Sequence, residues 1–98
     1  MTMVVGVLRI RLRLQAQSLK EKRMVVKSVV ERVRGRFNAS AAEVDDLDTW
    51  DLATIGVVCV SNESRHADAE LQTIARQVEE WRLDAEVLEV ETEIIPLG

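Results

Sequence analysis

From Leu8 to Leu14 the chain alternates without a break: Leu8, Ile10, Leu12 and Leu14 are apolar, and Arg9, Arg11 and Arg13 stand between them. A period of two is the period of a β-strand, so this stretch has one apolar and one cationic face. It needs a sheet covered on one side. The strand reaches back to Met3, because Val4, Val5 and Val7 around Gly6 are apolar on both faces. A second alternation closes the chain from Ala85 to Ile95. There Leu88, Val90 and Ile94, with Thr92 between them, point inward, Glu89, Glu91 and Glu93 point outward, and Pro96 is the expected stop.

Between these strands the period changes to that of a helix, twice. Ser18-Leu19-Lys20-Glu21 has the form of a capping box. Leu19, Val26, Val29, Val30, Val33 and Phe37 then share one face of a helix from about Leu19 to Arg34, with Gly35 near its end. Ala39 to Val44 reads as a short strand, residues 45–51 as a polar turn, and the apolar run Leu52 to Ser61 as a strand from the middle of a sheet. Asn62 or Ser64 caps a second helix, with Ala67, Leu71, Ile74, Ala75, Val78 and Trp81 on its core face. The order β-α-β-β-α-β predicts an α+β, ferredoxin-like domain over residues 1–98: a four-stranded antiparallel sheet, order 4-1-3-2, with both helices on one face. The outer strands then become neighbours. Their charges predict a ladder with Arg9 opposite Glu93, Arg11 opposite Glu91 and Arg13 opposite Glu89.

Composition narrows the class. Ninety-eight residues, 47% hydrophobic and 31% charged, suit one globular domain. The chain shows no apolar run of membrane-spanning length and no signal-peptide pattern, so a cytoplasmic location and no membrane partner are expected. Cys59, the single cysteine, lies in the apolar third strand and reads as a small buried hydrophobe. The net charge of −4 hides an asymmetry: residues 1–36 carry ten basic and two acidic side chains, net +8, and residues 37–98 three basic and fifteen acidic, net −12. Such halves either complement each other in the fold or offer a basic surface to an anionic partner.

The sheet arginines fit the first case. An RNA-binding sheet of this topology stacks bases on aromatic side chains, and the matching positions here are Arg, Val, Thr and Gly. The first helix fits the second case better. Lys20, Lys22 and Arg23 crowd its first turns although a helix N-terminus favours negative charge, and Lys27 and Arg34 continue the basic side. These five residues are the candidate nucleic-acid-binding set, for phosphate contact of low sequence specificity. A solvated helix face is the competing reading. The acidic turn (Glu43, Asp45, Asp46, Asp48, Asp51) lacks the ligand spacing and central glycine of a calcium loop. Trp50 beside it either covers the hairpin or anchors a partner, Trp81 belongs to the second helix's core face, and His66 is an isolated surface residue. No nucleophile–base set, glycine-rich phosphate loop or metal-ligand spacing is visible, so neither enzyme activity, cofactor nor metal is expected.

The segments Ser18-Leu19-Lys20-Glu21-Lys22-Arg23, Phe37-Asn38-Ala39-Ser40-Ala41-Ala42-Glu43-Val44 and Ala53-Thr54-Ile55-Gly56 with Ser61-Asn62 resemble the YlxP-like family of bacterial proteins, a family of unknown function. The resemblance covers essentially the whole chain and implies a ferredoxin-like fold. It departs only at Ala39 and Ala41, where larger aliphatic residues are common. Genes of the family commonly neighbour those for transcription termination, translation initiation and ribosome-binding factors, which implies ribosomal RNA or ribosome-associated proteins as partners. It assigns no catalytic residues. The alternative is a homodimeric interaction or regulatory module without nucleic-acid binding. It would pair through an open sheet face or the weakly charged second strand, with Met24 and Val25 as further contacts.

Overall fold

A computed structural model describes residues 2–81 and 85–98. The elements follow in the expected order: β1 (Met3–Leu14), α1 (Leu19–Arg36), β2 (Ala39–Asp45), β3 (Leu52–Ser61), α2 (Ser64–Glu80) and β4 (Ala85–Leu97). All strand pairs are antiparallel, in the order β2-β3-β1-β4, which is 4-1-3-2 read from the other edge. The even-numbered side of β1 is buried beneath the helices: Val4, Leu8, Ile10, Leu12 and Leu14 join Ile55 and Val57 of β3, Val29 and Val33 of α1, and Leu71 and Ile74 of α2 in one core. The fold class is as the periodicities predict.

Gly6 belongs to that core for want of a side chain. A Cβ there would lie 2.9 Å from Cys59 Sγ and 3.2 Å from Leu71 Cδ1, so the glycine lets α2 sit close on the sheet. Gly56 has the matching role on the other face, where a Cβ would meet Val44 Cγ1 at 2.9 Å.

Several boundaries differ from the sequence reading. Ser18 does cap α1, its Oγ accepting from Glu21 N at 3.1 Å, a bond of the type worth ~1 kcal/mol. Glu21 Oε2, however, accepts from Gln17 N rather than from the cap residue itself. The helix continues through Gly35 to Arg36, and Phe37 closes it by donating N–H to Val33 O. Gly35 is thus helical and does not act as a left-handed cap. Neither Asn62 nor Ser64 caps α2. Glu63 holds the N-cap position without a side-chain bond, and Ser61 Oγ accepts from Glu63 N at 3.2 Å.

Pro96 does not stop β4. It pairs with Val4 inside a strand that reaches Leu97, which an edge strand tolerates because one side of its backbone needs no partner.

The ladder register also moves. Arg9 faces Glu91 and Arg11 faces Glu89, two residues from the expected alignment, and Glu93 faces Val7. An even shift leaves every side chain on its own face, so hydrophobic patterning cannot discriminate against it. A bulge between Arg11 and Leu12 then leaves Leu88 unpaired, and Arg13 meets Glu86 in place of Glu89.

Candidate functional site

The fold divides the cations of α1 by angle around the helix. Lys22 follows the spacing of Val26, Val29 and Val33 and turns inward with them, wholly buried. Its ammonium donates to the carbonyl oxygens of Asp46 and, at 2.6 Å, Thr49, and it stands 2.9 Å from Glu43 Oε2. Two of the lysine's three N–H donors go to these carbonyl oxygens, and the Glu43 carboxylate balances its charge at ion-pair distance. Lys22 therefore leaves the candidate set, because its charge is spent inside the protein. The missed signal was its spacing: the position belongs to the core stripe, although the residue type suggests a surface.

The turn that Lys22 anchors is built from the acidic cluster. Asp46 has φ 60°, a conformation Asp enters more readily than most residues. Asp45 Oδ1 accepts from Asp46 N at 2.8 Å. Asp46 Oδ2 accepts from Thr54 Oγ1 at 2.7 Å and lies 3.5 Å from Arg11 Nε. These carboxylates complete a hairpin, with Leu47 and Trp50 left exposed at its tip. Trp50 is thus displayed next to Thr49, the residue that ties the turn to α1.

Three arginines of α1 have partners. Arg32 and Arg36 lie over the Trp81 ring, 5.5 and 5.6 Å from its centroid, and join the ends of the two helices by cation–π contact. Arg34 Nη2 donates to Ala41 O at 2.8 Å, taking a backbone acceptor of the edge strand β2. Lys20, Arg23 and Lys27 are exposed. Among the described residues, Lys20 and Arg23 make no ion pair, and Lys27 makes one exposed contact of 3.9 Å with Glu31. Of the five candidates, three remain outward without a partner in another element, one bridges to β2, and one is internal.

The face of the sheet away from the helices has two halves. One is charged: Arg9 Nη2 meets Glu91 Oε1 at 2.5 Å, and the bond from the guanidinium holds the Glu91 carboxyl below the usual carboxylate range. The other is apolar, with Val58, Val60, Ile95, Leu97 and Met3 all exposed. His66 is exposed in the first turn of α2. Cys59 is buried, and desolvation followed by the nearby Glu70 pushes its thiol pKa upward, away from nucleophilic reactivity.

Residues 5–92 match the family described as "Protein of unknown function (DUF503)". The chain belongs to this family. The chain is also similar to the uncharacterized protein YlxP of Bacillus subtilis (strain 168), 41% identical over 59 residues. That match spans 60% of this chain and 64% of the relative. Among solved structures, the de novo designed protein Foldit4 is similar over 93% of this chain and 96% of its own, with TM-score 0.52 and 20% identity. A C-terminal segment of the alpha subunit of aIF2 from Pyrococcus abyssi is similar over 87% of this chain and 50% of its own, with TM-score 0.56 and 9% identity. At such identities the likeness is one of fold.

Proposed function

We propose that this DUF503 protein is a non-enzymatic accessory factor that contacts the phosphate backbone of RNA, on or near the ribosome, through the outer flank of α1. The observation that carries this reading is the division of the helix's cations. Lys22, Arg32, Arg34 and Arg36 have partners within the fold, whereas Lys20, Arg23 and Lys27 project outward with at most one weak exposed pair. Exposed cations in a row suit a polyanion read by charge. Trp50, exposed on the hairpin that Lys22 ties to the same helix, adds an aromatic surface of the kind unpaired bases stack on. The test is co-sedimentation with ribosomal subunits, with and without nuclease. Lys20→Glu with Lys27→Glu should weaken RNA-dependent association and leave the melting temperature unchanged; association equal to the wild type's would reject this surface.

A second reading, a homodimeric interaction module, is favoured by a separate observation. Half of the open sheet face is apolar and exposed, a feature monomeric surfaces rarely present as one patch. The β2 edge is a poorer candidate for pairing, because Arg34 already engages Ala41 O there.

A further inference from the structure

The open face is ordered in rows across the sheet. Met3 is beside Leu97, and Val5 lies between Val60 and Ile95. Val7 stands between Val58 and Glu93. Farther along, the rows become ionic: Arg9 beside Glu91, Arg11 beside Glu89, Arg13 beside Glu86. Along the strands the face passes from apolar to charged, and across the β1–β4 seam from a cationic column to an acidic one. The charges are not saturated within the chain. Among the described residues Arg13, Glu86, Glu89 and Glu93 make no ion pair.

We propose that the open face of β1 and β4 is the contact between two copies of this chain, related by a two-fold axis parallel to the strands along the β1–β4 seam. This rests on the second reading above, that the protein pairs with itself. The arrangement follows from the pattern. A two-fold along the seam keeps each row in place and exchanges the columns, so apolar rows meet apolar rows and arginines meet glutamates. An axis across the strands would lay the apolar half of one copy on the ionic half of the other. A nucleic acid or an anionic membrane would meet the acidic column of β4 and be repelled, which leaves a self-complementary protein surface as the fitting occupant.

Strands of 12 and 13 residues packed two on two cover roughly 400 Å² per copy by strand dimensions. That is below the ~800 Å² per partner of standard stable interfaces, so the dimer should dissociate at micromolar concentration.

Analytical ultracentrifugation of the whole chain, from roughly ten to several hundred micromolar, tests this. The wild type should pass from one copy to two. Ile95→Asp, at an exposed position, should remain monomeric with an unchanged melting temperature. Arg9→Glu with Arg13→Glu, and separately Glu86→Arg with Glu91→Arg, should each dimerise at least tenfold more weakly. An equimolar mixture of these two variants should regain the dimer, which a purely intramolecular ladder would not allow. A wild type that stays monomeric throughout rejects the dimer reading itself. A dimer that tolerates Ile95→Asp, or a mixture that restores nothing, overturns this interface and leaves dimerisation to another surface.

Discussion

Lys22 holds two carbonyl oxygens of the β2–β3 turn and the Glu43 carboxylate of β2 beneath α1, so one side chain fixes the first turn of the helix, the edge strand and the turn together. Removing one partner of a buried charge pair leaves the other uncompensated. Lys22→Ala should cost ~3–5 kcal/mol by denaturant unfolding, with early proteolysis in residues 46–51. A loss of only a few tenths would place the lysine among surface residues. Gly6 makes a sharper test of packing. Gly6→Ala should destabilise by ~1–3 kcal/mol through overpacking against Cys59 and Leu71. Cys59→Ala in the same chain should recover part of that loss, since it removes the nearest atom; strict additivity of the two changes would refute the contact.

At the scale of elements, α1 carries Gly35 in helical conformation with no heavy atom within 4 Å of a would-be Cβ. Gly35→Ala should therefore stabilise the protein by ~0.5–1 kcal/mol in a thermal melt, and destabilisation would mean that the helix ends before it. Every element was legible in the sequence, because periods of two and 3.6 are imposed by burial. In β4, however, Leu88 and Val90, expected inward, are exposed, and Val87 packs on the core in place of Leu88. The ends of the elements were not legible. Glycine at position 35 fits both a cap and a helix interior, and only the continued bonding from Phe37 N–H to Val33 O decides. The β1–β4 register escaped for a related reason: shifts by two residues preserve the buried face, and the further one-residue slip at Leu88 comes from a bulge that no local pattern announces. Pro96 reads as a terminator unless its strand is known to be an edge.

For the whole molecule, the asymmetry between a basic first third and an acidic remainder resolves into two populations of charge. One joins elements: Arg9 to Glu91, Arg11 to Asp46, Lys22 to Glu43, with Arg32 and Arg36 on Trp81. The other, Lys20, Arg23 and Lys27, contributes little to holding the fold together and supplies the surface proposed for RNA. Residue type and helical spacing located this candidate surface in the sequence, but not the removal of Lys22 from it, which depends on the two carbonyl oxygens and the carboxylate that folding assembles around it.

The most direct test of this division is the salt dependence of affinity for a single-stranded ribosomal RNA fragment. Three phosphate contacts predict a slope of about −2 in log affinity against log salt, and Lys20→Glu with Lys27→Glu should reduce it by roughly 1.4. Wild-type affinity that ignores salt, or a slope the double substitution leaves unchanged, would contradict the assignment of these cations to RNA.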